Sequence, residues 1–180
     1  MKKLFLIGIL FLFLLTGIVF GHESNNNSVA GGINFSILHD YISLPNSLGL
    51  GIEYERLLGN KFSVGIDIRT FGPGYLPFAM ALNAEIFGRF YPFSGGFFTG
   101  LSFGVWGILW AGGYTGEESF GSHFEGFPKI SPELGWKIDF GKINRLFILP
   151  SVKMSCIYII QNNTIRLGSS DFSLKIGYRF

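Results

Sequence analysis

The chain has 180 residues, of which 48% are hydrophobic and only 14% are charged. Soluble domains carry about 25% charged residues, so this composition favours a protein that buries much of its surface in lipid. The formal net charge is +2, and no basic stripe is present that would attract nucleic acid. The single cysteine excludes an internal disulfide.

The first 21 residues have the parts of a secretory signal. Lys2 and Lys3 form a positive start, and residues 4–15 are apolar. In Val19-Phe20-Gly21, small or modest residues occupy the two positions that a signal peptidase reads. We predict cleavage after Gly21, which leaves a polar tail at residues 22–28 and a barrel domain at residues 29–180. The alternative is an uncleaved anchor helix, because residues 4–20 are almost long enough to span a bilayer.

No second apolar run of 18 residues follows, which excludes a helical bundle in the inner membrane. Period-two alternation of apolar residues recurs instead, as in Phe62, Val64, Ile66 and Ile68. The repeats predict an all-β fold, an eight-stranded antiparallel up-and-down transmembrane β-barrel. The predicted strands are residues 29–38, 48–57, 62–71, 78–91, 97–107, 130–140, 146–156 and 172–180.

The links between the strands alternate between short and long, as periplasmic turns and external loops do in outer-membrane barrels. A soluble barrel also alternates, but its apolar face points inward. The second face of these strands carries Gly, Ser and isolated charges, which suits the crowded lumen of a small barrel. We therefore expect the apolar face to meet lipid, with aromatic residues such as Phe71 and Phe147 near the two interfaces.

The inward face is predicted to hold a balanced charge network that plugs the lumen. Its acids and bases are Glu53, Glu55, Asp67, Glu85, Glu133 and Asp139, and Arg69, Arg89, Lys137, Lys153, Lys175 and Arg179. Pro132 and Pro150 conflict with central strands. We expect Pro132 at the outer rim and a β-bulge beside Pro150.

The C-terminal segment alternates apolar residues and ends in an aromatic: Phe172, Leu174, Ile176, Tyr178 and Phe180. It resembles the terminal strand of bacterial outer-membrane proteins, and residues 88–98 look like the middle hairpin of small barrels of that kind. The layout is similar to the OmpA-like and OmpX-like eight-stranded barrels. This resemblance implies a location in the bacterial outer membrane, contact with its lipids, and recognition of the C-terminal segment as an assembly signal by the barrel-assembly machinery.

No nucleophile, phosphate or metal motif occurs in the sequence. His123 has Ser122 and Glu125 nearby, but no residue is placed to orient it. We therefore predict no catalytic residue, no metal site, no cofactor and no enzymatic activity.

The expected function is a structural or surface-interaction role carried by the external loops. The third loop is the best candidate for contacts with surface proteins or polysaccharide, through Trp110, Tyr114, Phe120, His123 and Phe124. Two alternatives stay open: a porin-like conduit for ions or hydrophobic molecules, and a lipid-A-modifying enzyme. Conductance tests the first, and lipid A analysis tests the second.

Overall fold

A computed structural model describes residues 26–38, 47–72, 79–93, 95–110, 123–140, 145–159 and 163–180. The predicted signal peptide and most of the third external loop, including Tyr114 and Phe120, lie outside these ranges. The strands are β1 Asn27–Leu38, β2 Ser47–Leu58, β3 Phe62–Gly72, β4 Ala79–Phe90, β5 Phe97–Trp110, β6 His123–Trp136, β7 Ile138–Asp139, β8 Leu146–Ile159 and β9 Thr164–Arg179. Within the described ranges, no helix is long and apolar enough to cross a membrane.

The strands form one closed antiparallel sheet. Neighbours in sequence pair from β1 to β6, β1 also pairs with β9, and β9 pairs with β8. Pairing of β8 with β6 closes the ring. The short β7 continues β6, because the pair Ile138–Ile148 keeps the register set by Gly135–Ser151. The two pieces are one barrel strand interrupted at Lys137, so the predicted eight-stranded barrel is confirmed.

Several strands are longer than predicted at the end that carries the long loops. The β5–β6 hairpin pairs Trp110 with His123 and Leu109 with Phe124. The predicted loop contacts Trp110, His123 and Phe124 are therefore strand residues in this structure. Their side chains lie outside the described part. At the other end of the barrel, β1 begins at Asn27, two residues before the predicted boundary. Hydrogen-bonded pairing between neighbouring strands therefore continues beyond the predicted strand ends, out to Trp110–His123 and Ile159–Thr164.

The two faces of the sheet differ in polarity as the alternation predicts. Large apolar side chains such as Leu50, Ile52 and Ile86 point outward and are more than half exposed. Charged and small polar side chains point inward and are buried. Phe71 and Phe147 were expected on the lipid face near the interfaces. This placement is wrong, because both rings are buried in the lumen and both residues lie one position out of phase with the outward row.

Inward phenylalanines lie directly opposite glycines on a neighbouring strand. The cross-strand pairs are Phe71–Gly49, Phe87–Gly65, Phe98–Gly135 and Phe147–Gly177. A Cβ on Gly177 would lie 2.1 Å from Cζ of Phe147, which is far inside van der Waals contact. The absence of a side chain at these glycines therefore lets the rings lie against the barrel wall.

Pro132 and Pro150 lie on the seam between β6 and β8. The ladder there lacks pairs at Ser131 and Pro132, and again at Trp136 and Lys137, which lie opposite Pro150 and Leu149 in this register. Pro132 is thus within the strand and not at the rim. The bulge expected beside Pro150 is also not found there: the register shift of β8 lies between Ser155 and Cys156. Proline has no N–H to donate. The seam accommodates each proline by omitting ladder hydrogen bonds near it, and the register is the same on both sides of each gap.

Candidate functional site

The candidate site is the barrel lumen, where charged side chains from six of the eight barrel strands are withdrawn from solvent. Among the described residues, six acids and six bases are buried. They are Glu53, Glu55, Asp67, Glu85, Glu133, Asp171, Arg69, Arg89, Lys129, Lys137, Lys153 and Lys175. Formal charge therefore balances inside the barrel. A buried charge is tolerated when it is paired and hydrogen-bonded.

Arg89 on β4 is the centre of one half of the network. Its Nε donates to Glu133 Oε2 at 3.0 Å and its Nη2 to Glu133 Oε1 at 2.9 Å. Nη1 and Nη2 also donate to the two carboxylate oxygens of Glu53. The guanidinium lies 4.1 Å from the ring centroid of Phe87 and 4.4 Å from that of Phe98. Arg89 thus joins β2, β4 and β6 across the lumen through two paired contacts of the strong bidentate kind.

Arg69 on β3 is the centre of the other half. Its Nη2 donates to both oxygens of Glu85 at 3.0 Å, and its Nη1 donates to Asp171 Oδ2 at 3.1 Å. Its Nε lies 3.1 Å from Asp67 Oδ2. Ser36 Oγ donates to the other oxygen of Asp171 at 2.6 Å. One guanidinium therefore faces carboxylates from β3, β4 and β9.

Lysines connect the two arginine centres. Lys175 Nζ donates to Glu53 in the first and to Asp67 in the second, both at 2.8 Å. Lys153 Nζ donates to Asp67 at 2.9 Å and to Glu85 at 2.8 Å, and lies 4.0 Å from Glu133. The two halves are therefore one connected network.

Two further lysines end the network. Lys137 Nζ donates to Glu55 Oε2 at 2.6 Å and to Ser28 Oγ at 3.0 Å. Glu55 also accepts from Ser63 Oγ at 2.5 Å and Tyr91 OH at 2.6 Å. At the other end, Lys129 pairs with Glu85. The connected charges thus extend along much of the barrel axis.

Apolar side chains lie in the lumen on both sides of the charges. One buried cluster contains Ala30, Tyr91, Phe98, Phe147 and Leu149, toward the side of the short turns. The other contains Phe71, Ala81, Trp106, Ile108 and Ile157, toward the side of the long loops. The charge network therefore lies between two apolar layers.

Ten of the twelve lumen charges predicted from the sequence are buried in the lumen. Asp139 and Arg179 are not: they pair at 2.8 Å, with side-chain exposures of 42% and 21%, because both lie near strand ends at the barrel mouth. Sequence reasoning missed Asp171 and Lys129, which were assigned to external loops. Continuing the alternation of β9 and β6 by one more residue toward the N-terminus of each strand would have found them.

The outward row of β9 contains Phe172, Leu174, Ile176 and Tyr178, which are 42–63% exposed. Phe180 follows β9 and is 50% exposed, and its N–H donates to Asn27 O at 2.9 Å. The predicted assembly signal thus lies on the lipid-facing side, beside β1 at the strand pair that joins the two ends of the barrel.

The chemistry of this site is that of charge pairing. The buried carboxylates of the two arginine centres each contact a guanidinium or an ammonium group. In the part of the chain that the structure describes, no group of three or more His, Cys, Asp and Glu side chains is placed to hold a metal ion.

Solved structures share this architecture. Neisserial surface protein A has a TM-score of 0.61 at 9% identity, over 88% of this chain and 100% of that one. Ail of Yersinia pestis, solved with the heparin analogue sucrose octasulfate, has a TM-score of 0.58 at 15% identity over the same shares. OprG of Pseudomonas aeruginosa has a TM-score of 0.55 at 13% identity, over 89% of this chain and 98% of that one.

The fold is that of the small outer-membrane β-barrels. The outward apolar face of the strands agrees with this assignment. The assignment in turn agrees with the location in a bacterial outer membrane that the sequence predicts. No protein-family model matches the chain, and no curated protein sequence matches it. At sequence identities of 9–15%, the similarity establishes a common fold and does not establish a common activity.

Proposed function

We propose that the protein is a closed, non-enzymatic barrel of the outer membrane whose lumen is plugged and whose external loops carry its interactions. The observation that carries this proposal is the connected charge network between two apolar layers. Eight strands leave only enough interior space for side chains. Ion pairs that cross this space leave no continuous column of water for an ion to follow.

The plug makes a direct prediction about conductance. Refolded protein in planar bilayers is expected to give no large, steady single-channel current, because ions would have to displace paired charges and buried aromatic rings. The control is the same preparation after boiling, which removes the folded barrel and should leave the bilayer baseline unchanged. A large, steady current from the folded protein would reject the plug and favour the conduit.

The charges of the segments between strands indicate what kind of molecule the external loops could bind. The long segments at residues 39–46, 73–78, 111–122 and 160–163 contain three acids, Asp40, Glu117 and Glu118, and no Lys or Arg. The short turns at residues 59–61, 91–96 and 140–145 contain three bases, Lys61, Lys142 and Arg145, and no acid. If the long segments are external, as in other barrels of this kind, then the external face is anionic.

We infer that the external loops contact a neutral or cationic surface of a protein or polysaccharide. Ail was solved with a polysulfated heparin analogue, but an anionic loop set would repel such a ligand. We expect whole cells that carry the protein, where only the external loops are accessible, to bind no more heparin at low salt than cells without it. Glu117→Gln combined with Glu118→Gln should increase any residual binding, because it removes like-charge repulsion. Strong binding of the unaltered protein to heparin would contradict the proposed partner class.

We also propose that the barrel-assembly machinery recognises the outward row of β9 that ends at Phe180. Phe180→Ser is expected to lower the yield of folded barrel in cells at least several-fold, with little effect on refolding of the purified chain into detergent. The ring is half exposed, so its loss removes little internal packing. The control is Phe103→Ser on β5, whose ring is 51% exposed on the same outward face but lies outside the C-terminal row. Equal losses in both assays would show that Phe180 acts through packing alone.

The enzyme alternative has no supporting feature among the described residues. Lipid A from cells with and without the protein should be identical in mass. A change in the acylation of lipid A that depends on the protein would contradict the proposed non-enzymatic role.

A further inference from the structure

Arginine and tyrosine side chains lie on one outward sector of the barrel, at the end that carries the short turns. Tyr54 of β2 and Tyr178 of β9 both lie opposite Val29 of β1, so three outward side chains share one level of the sheet. One level further toward the short turns, Arg56 lies opposite Asn27. Arg56 follows Tyr54 in the outward phase of β2, and its side chain is partly buried.

Hydrogen bonds hold both tyrosine hydroxyls in place. Tyr54 OH donates to Asn27 Oδ1 at 3.0 Å, and Arg145 Nη1 donates to Tyr178 OH at 3.0 Å. Arg145 directly precedes β8 and is exposed, and this bond uses one of the five N–H groups of its guanidinium. We call Tyr54, Arg56, Arg145 and Tyr178 the arginine–tyrosine sector. Its two arginines lie on opposite sides of the β1–β9 pair.

Positive charge exceeds negative charge around this sector. Among the acidic side chains whose burial the structure describes, Asp139 alone is exposed, and it pairs with Arg179 at 2.8 Å. Lys61 is also exposed at this end of the barrel. The two arginines of the sector and Lys61 together outnumber the carboxylate of Phe180. The sector therefore attracts anions.

An apolar groove continues from the sector toward the middle of the bilayer. Gly31 of β1 lies between Ile52 of β2 and Ile176 of β9, and these isoleucines are 57% and 63% exposed. Their strands are two inter-strand spacings apart, which is about 10 Å. Gly31 is exposed and has no side chain to fill the space between them. A groove of this kind fits an acyl chain, and the sector at its end fits a charged headgroup.

We propose that the arginine–tyrosine sector binds the phosphate group of an anionic phospholipid, one of whose acyl chains lies over Gly31. A guanidinium binds phosphate through two parallel hydrogen bonds, and basic residues at a membrane surface attract anionic lipids. The groove favours a lipid over a free phosphate ion. If the long segments are external, this lipid belongs to the periplasmic leaflet. The site does not depend on the plugged lumen, because it lies on the opposite face of the strands.

Native mass spectrometry of the refolded protein in detergent tests this site, with phosphatidylglycerol and phosphatidylcholine of identical acyl chains as probes. The first phosphatidylglycerol is expected to bind at least about fivefold more tightly than the first phosphatidylcholine. Arg56→Gln combined with Arg145→Gln should remove this preference. The matched control is Lys61→Gln combined with Arg166→Gln, which removes the same charge from exposed positions outside the sector and should keep the preference.

Gly31→Leu separates the groove from the charges. It fills the groove without changing the net charge, so it should lower the affinity for phosphatidylglycerol several-fold. The mobility of unboiled samples on gels shows that each variant is folded. Equal loss of the preference in the two double variants would show general attraction to a basic rim and overturn the site. Unchanged affinity in folded Gly31→Leu, displacement of the lipid by inorganic phosphate, or equal binding of the two lipids by the unaltered protein would also overturn it.

Discussion

Replacing Arg89 with alanine is expected to lower the free energy of unfolding by about 3–5 kcal/mol, the cost of removing one partner from a buried ion pair. The substitution leaves Glu53 without its guanidinium and removes every arginine contact of Glu133. It also removes the cation that lies between the rings of Phe87 and Phe98. Lys175 still contacts Glu53 at 2.8 Å, so the loss is largest at Glu133.

The measurement is urea-induced unfolding in lipid vesicles, followed by tryptophan fluorescence and by the mobility of unboiled samples on gels. Arg145→Ala is the matched control, because Arg145 is exposed and its Nη1 makes a hydrogen bond to Tyr178 OH at 3.0 Å. That variant should change stability by less than about 1 kcal/mol. If Arg89→Ala were as stable as Arg145→Ala, the buried network would not be a source of stability.

Gly177→Ala is expected to destabilise the barrel by about 1–3 kcal/mol, the usual cost of overpacking a filled interior. The added Cβ would lie 2.1 Å from Cζ and 2.5 Å from Cε2 of Phe147. The ring is 1% exposed and lies 4.3 Å from Lys137 Nζ. Moving it would therefore disturb the charge network as well as the apolar layer.

The same unfolding assay measures this effect, with Gly31→Ala as the control. Gly31 is exposed, and its added Cβ would lie 3.7 Å from Gly51 O, an ordinary van der Waals contact. Combining Gly177→Ala with Phe147→Leu should recover part of the loss, because the smaller side chain vacates the space that the new Cβ needs. Equal stability of the two glycine variants would show that the ring moves without cost.

The sequence alone determined the class of fold and the faces of the strands. Alternation with a period of two assigns each residue of a strand to one face. Strands with apolar residues on one face and charges on the other fit few architectures, and a membrane barrel with a polar lumen is one of them. The same alternation assigned Arg69, Arg89 and Glu133 to the lumen. Phe71 and Phe147 were misplaced because their ring chemistry was given more weight than their phase in the strand.

Contacts between strands could not be obtained from the sequence, because they depend on the register of strands far apart in the chain. Arg69 meets Asp171 across 102 residues, and Phe147 finds its glycine on β9. The strand ends were also decided by pairing: β6 and β9 extend toward the long loops and carry Lys129 and Asp171 into the lumen. Closure of the ring decided which charges meet, since only a closed barrel brings Glu53, Arg89 and Glu133 to one point.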